Sequence, residues 1–101
     1  MRIEWDPAKN SVNRRRHRLS FEQAAELFRR GADYLEIYDE EHSDQEDRFV
    51  AVGRIGRGIV VVVFTEREDD VMRIMSARLA TRKEGQRFEE FERKAHERRN
   101  S

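Results

Sequence analysis

Five arginines stand in segments whose other residues read as strand. Arg48 and Arg54 bracket Phe49-Val50-Ala51-Val52-Gly53, Arg67 follows the apolar run Ile59–Phe64, and Arg73 and Arg78 lie within Val71–Leu79. Strand propensity disfavours such placement and burying charge is costly, so it needs a reason. The two-residue side-chain period puts Arg48 and Arg54 on one face of their strand and Arg73 and Arg78, an odd separation, on opposite faces. One reason is edge positions, with ion pairs to Glu66 or the acidic loop. The other is chemical: guanidinium forks on neighbouring strands bind phosphate oxygens bidentately, so several together form a site for a phosphodiester.

Other chemistries find less support. His17, His42 and His96 fall on three separate elements, and without Cys or an HxxxH spacing they make no zinc site. The carboxylate pairs Glu40-Glu41 and Asp69-Asp70 lie in turns, where solvation explains them. Gly53, Gly56 and Gly58 punctuate a hairpin, so neither a P-loop nor a nucleophile elbow is present. His17 ends a helix, at the negative pole of its dipole. Glu84 serves equally as a capping partner for Thr81 or as a base, since a helix N-terminus beside Lys83 keeps a carboxylate ionised.

The elements that must position these groups follow from local signals. Arg2-Ile3-Glu4-Trp5 alternates like a short strand, and Asp6-Pro7 starts a helix to about His17. That helix holds only Ala8 and Val12 as apolar residues, so tertiary contacts must hold it. Ser20 and Gln23 form a capping box before Phe21, Ala24, Ala25 and Phe28, one helical face, and Gly31 stops it. Strands are expected at Tyr34–Asp39, Arg48–Gly53, Gly58–Thr65 and Val71–Leu79, with turns at Arg57-Gly58 and Glu68-Asp69-Asp70. The Ile59–Phe64 run should be buried on both faces and central. Thr81 and Glu84 begin a last helix, with a frayed tail from His96 to Ser101. The expected order is β-α-α-β-β-β-β-α, an α+β domain with a small antiparallel sheet and helices on one face.

At 101 residues there is room for one domain, with 37% hydrophobic and 42% charged residues. The longest apolar run, Ile59–Phe64, is far below the ~20 residues of a membrane span or the ~7–15 of a signal-peptide core. Together with the absence of Cys, this makes a cytoplasmic protein the expectation. Lys plus Arg and Asp plus Glu each number 21. Their distribution is uneven, however. Residues 33–47 carry Asp33, Glu36, Asp39, Glu40, Glu41, Asp44, Glu46 and Asp47 without a Lys or Arg, whereas Arg14-Arg15-Arg16-His17-Arg18 holds no acid. A neutral chain can still present a positive face.

Several fragments in order resemble the BrnT toxins of bacterial type II toxin–antitoxin systems. They are Trp5-Asp6-Pro7-Ala8-Lys9 with Asn13, Arg16-His17 and Ser20-Phe21; then Asp39, His42-Ser43, Glu46-Asp47-Arg48-Phe49 and Gly53-Arg54; then Val61–Arg67; then Arg73-Ile74-Met75-Ser76-Ala77-Arg78, Ala80-Thr81 and Glu84. The resemblance implies a RelE-like fold over one domain, residues 1–101. It also implies a ribonuclease that uses neither metal nor cofactor and arrests translation, and a BrnA-like ribbon-helix-helix antitoxin that carries promoter DNA binding for the complex. In that chemistry Arg67 and Arg78 are the transition-state cations and Glu84 or His17 moves a proton. Arg48, Arg54, Arg73, Arg82 and Lys83 hold the RNA backbone. The chain departs from the family at Gly85, where arginine is usual, at Phe88 for tyrosine, and at Arg18 for glycine. Those departures leave a second reading, a non-catalytic module that only binds its antitoxin as co-regulator. Direct duplex binding through Arg14–Arg18 is weaker, because no second helix completes a helix-turn-helix.

Overall fold

The computed structural model describes residues 1–44 and 46–100. Strand β1 (Arg2–Glu4) leads to α1 (Pro7–His17), whose first turn is capped by the Asp6 carboxylate accepting from the Ala8 N–H at 2.8 Å. Helix α2 (Phe21–Arg29) opens on the Ser20–Gln23 capping box. Then come β2 (Leu35–Tyr38), β3 (Asp47–Ile55), β4 (Gly58–Arg67), β5 (Val71–Leu79) and α3 (Arg82–Arg99). The last helix opens on the Thr81–Glu84 box and runs to Arg99, through most of the tail expected to fray.

The five strands form one sheet in the order β1-β5-β4-β3-β2. The Ile59–Phe64 run is therefore central, as its two-sided apolarity requires. β2 to β5 make the expected antiparallel meander. β1 departs from it, pairing parallel with β5, so the sheet is mixed. The parallel pairing is possible because α1, α2 and β2 to β4 all lie between these strands and supply the crossover.

Helices cover both faces of the sheet, not one. Phe21, Ala24, Ala25 and Leu27 of α2 pack with Ala51, Val60, Val62, Phe64, Met72, Ile74 and Ala77 into the larger core. On the opposite face Phe88 and Phe91 of α3 meet Val52, Val61, Leu35 and Ile59. The alternating residues of β3 and β4 are apolar on both sides, which leaves two greasy faces to cover.

Helix α1 is held by amides where it lacks an apolar stripe. The buried Asn13 side chain behaves like a strand residue. Its Nδ2 donates to the Ala77 carbonyl at 2.8 Å and to the Leu19 carbonyl at 2.9 Å, and its Oδ1 accepts from the Ala77 N–H at 3.1 Å. Asn10 joins α1 to α2, accepting from the Phe21 N–H at 2.9 Å and donating to Glu22 at 2.6 Å.

Candidate functional site

Register places the strand arginines. Across β3, β4 and β5, Arg48 pairs with Thr65 and Thr65 with Arg73, and β1 adds Glu4 beside Arg73. These four lie in one row on the α3 side of the sheet, beyond the apolar residues that α3 covers, and Arg67 follows two residues after Thr65 on the same side.

Arg73 and Arg78 share this face, contrary to the expectation from their odd separation. Val63 pairs with Ser76 but Phe64 pairs with Ile74, leaving Met75 as an extra residue on β5. This bulge shifts the alternation by one, so Arg73 and Arg78 point the same way. Arg48 and Arg54 share the face as expected. They sit near opposite ends of β3, about 20 Å apart at the usual rise per strand residue.

Every one of these guanidiniums has a carboxylate. Glu4 Oε1 lies 3.2 Å from Arg73 Nη1 and 3.9 Å from Arg67 Nη1. Arg67 Nε also donates to Glu46 at 3.0 Å. Asp39 lies 3.8 Å from Arg48 Nε. That Nε and the neighbouring Thr65 hydroxyl are both buried, and neither finds a hydrogen-bond partner among the described residues. Two buried polar groups without hydrogen bonds, side by side, are an unsatisfied cost at this point of the row.

The remaining arginines belong to α3. Arg54 Nη2 lies 3.0 Å from Glu92 and its guanidinium sits 5.9 Å above the Phe88 ring, a cation–π contact. Arg78 binds Glu84 with both arms of its fork, at 2.7 and 2.9 Å, while Glu84 Oε1 also accepts from the Thr81 N–H at 2.9 Å. Glu84 is thus cap and ion-pair partner at once. Hydrogen bonding from Arg78, followed by the Thr81 contacts, outweighs burial and holds its carboxyl down at about 2. A carboxylate this acidic is a weak proton acceptor. Its geometry instead aims Arg78.

Arg82 and Lys83 are exposed in the first turn of α3, beside that pair. His17 is not brought to the row; it lines a groove between α1 and β5 with Lys9, Arg16 and Met75. A different histidine reaches the row. His42 Nδ1 lies 3.0 and 2.9 Å from the two oxygens of Asp39, the carboxylate beside Arg48. Sequence reading gave no role to His42, Thr65 or Glu4. The short spacing from Asp39 to His42 was the available signal for the first, whereas Glu4 is 69 residues from Arg73 and left none. Among the described residues no group of three or more His, Asp or Glu is arranged to hold a metal ion, and no helix is long and apolar enough to cross a membrane.

Comparison with known proteins completes the site's description. A family model described as ribonuclease toxin, BrnT, of type II toxin-antitoxin system matches residues 5–84. The crystal structure of the Brucella abortus ribonuclease toxin BrnT is similar, with 25% identity and a TM-score of 0.59 over 81% of this chain and 99% of that one. No curated protein matches. The family match spans every element from α1 to β5 and ends on Glu84, so it includes the whole arginine row except Glu4.

Proposed function

Because this chain belongs to the BrnT family of ribonuclease toxins of type II toxin–antitoxin systems, we propose that it cleaves RNA without a metal ion, using the open arginine row. A 2′-hydroxyl attacks the adjacent phosphorus, the 5′-oxygen leaves, and a cyclic phosphate forms. One group accepts the 2′ proton, another protonates the leaving oxygen, and cations stabilise the added negative charge. Acid–base help contributes about 10²–10⁴-fold, and one preorganised donor about 10²–10³-fold.

The observation that carries this reading is the Glu4 carboxylate, held between Arg67 and Arg73. An anion already occupies the place where a phosphodiester would sit, and the RNA phosphate takes it over by displacing the side chain. Arg67 and Arg73 stabilise charge on phosphorus, with Arg48 and Thr65 beside them. Arg78 adds a further cation, oriented by Glu84, while Arg54, Arg82 and Lys83 guide the strand along α3. His42 accepts the 2′ proton, and solvent water protonates the leaving 5′-oxygen. Asp39 fixes the His42 tautomer through Nδ1 and leaves Nε2 free. The partner that silences the toxin is a BrnA-like antitoxin, through which promoter DNA is bound.

Arg67→Ala and Arg73→Ala should each abolish RNA cleavage and growth arrest while the purified protein keeps its native circular dichroism. Full toxicity in both variants overturns the assignment.

The engagement of all five strand arginines by carboxylates favours a second reading, a module that binds antitoxin and cuts nothing. Expression without the antitoxin separates the two. Growth arrest with RNA decay supports the nuclease, and unaffected growth supports the module.

A further inference from the structure

A second set of arginines lies on the opposite side of the sheet and takes no part in the site above. Ser11, Arg14, Arg15 and Arg18 fall at i, i+3, i+4 and i+7, so three guanidiniums line one face of α1 and its C-cap. The hairpin between β3 and β4 brings a fourth. Arg57 reaches across to donate from Nη1 to the Arg18 carbonyl at 2.9 Å. Between them is an open cleft of about 760 Å³, which Glu22 also lines. Such a volume is within the ~300–1,000 Å³ of ordinary ligand sites.

Three features set this cleft apart from a solvated surface. Among the described residues Arg14, Arg15 and Arg18 hold no ion pair, whereas every strand arginine does. The one carboxylate in the cleft, Glu22, is engaged by Asn10 at 2.6 Å. Arg18 has φ 54° and ψ 33°, the left-handed conformation that glycine adopts freely and arginine does not. A charged side chain is kept there at a backbone cost, which points to use of the charge.

We propose that the cleft formed by Arg14, Arg15, Arg18 and Arg57 binds the phosphate backbone of the RNA strand at a distance from the cut. The inference rests on the ribonuclease reading and extends it. The strand arginines are each neutralised and rimmed by acids, so they discriminate geometry but attract a polyanion poorly. Among the described residues the α1 cations have no such partner, and they supply the attraction. Arg57, in the β3–β4 hairpin, stands eight residues before Thr65, about 26 Å at the usual strand rise. A strand touching both places therefore needs about eight or more stacked nucleotides at 3.4 Å each. A dinucleotide reaches only the cut.

The test compares wild type, the double variant Arg14→Ala/Arg15→Ala, the double variant to Lys, and Arg67→Ala. It uses a labelled single-stranded RNA long enough to span both places and a dinucleotide substrate. The Ala pair should raise KM for the long RNA at least about tenfold, from two lost charge-assisted contacts. It should lower the salt slope of binding by about 1.4, at 0.7 per contact. Its kcat should stay at the wild-type value, as should its rate on the dinucleotide, and the Lys pair should restore KM. Unchanged KM and salt slope overturn the cleft while leaving the nuclease reading intact if Arg67→Ala is dead. An equal loss on the dinucleotide also overturns it, because the residues then act at the cut. So does normal RNA binding with weakened binding of promoter DNA by the antitoxin complex. If the wild-type protein cuts nothing, the nuclease reading fails. Fluorescence anisotropy with the long RNA then decides the cleft alone, with weaker binding by the Ala pair supporting it and equal binding overturning it.

Discussion

The arginines of the sheet and the arginines of α1 make opposite use of one side chain. On the sheet each guanidinium is bound by a carboxylate from another element: Glu4 for Arg73, Glu46 for Arg67, Glu84 for Arg78, Glu92 for Arg54 and Asp39 for Arg48. On α1 the guanidiniums project from one helical face into water. Pairing fixes an arginine's direction and removes its long-range field. Leaving it unpaired preserves the field and gives up the direction. A chain with equal numbers of acids and bases can thus keep an ordered row of paired cations and a separate surface of unpaired ones.

Mutation can break this contrast or sharpen it. The largest effect belongs to Arg67→Ala, which should lower kcat for RNA cleavage about 10²–10³-fold at unchanged thermal stability. Asn13→Ala should break the contrast from the other side. It strips the Ala77 N–H and C=O of their partners on a buried edge and releases α1, costing about 2–3 kcal/mol in denaturant unfolding. Glu4→Gln removes the carboxylate of Arg73 and leaves Arg67 with Glu46 alone. RNA affinity should rise by up to about fivefold, with a steeper salt dependence, measured by anisotropy.

The smallest effect is acid stability through Arg78 and Glu84. The folded carboxyl, at about 2, lies below its ordinary 4.5. The stabilisation is therefore complete above about pH 4.5 and disappears as pH falls towards 2. Both side chains are a third or more exposed, at 40% and 33%, so solvent screening limits it to about 1 kcal/mol. Glu84→Gln should flatten that part of the stability profile, and Arg14→Ala should leave it unchanged.

Local features were legible because they depend on neighbours three or four residues apart. Asp6-Pro7, the Ser20–Gln23 box and the Thr81–Glu84 box each start a helix where expected. The two-sided apolarity of Ile59–Phe64 foretold a central strand. One failure was local, the helix that continues to Arg99 through the tail expected to fray; the others were at long range. The Met75 bulge overturned a parity argument that holds only for regular strands. The second helical face escaped notice because Phe88 and Phe91 do not name the sheet face they cover.

Residue order alone settled the number and kind of elements, the shortage of apolar contacts on α1, and the family to which the chain belongs. Those properties are short-range or are carried by side-chain types in series. Folding decided which charges meet: the parallel docking of β1 that sets Glu4 between Arg67 and Arg73, the bulge that turns Arg73 towards Arg78, and the hairpin that carries Arg57 to α1. Each depends on strand register or packing between residues far apart in the chain. One residue of slip reverses the side a strand residue faces, so such meetings are set only when the whole sheet assembles.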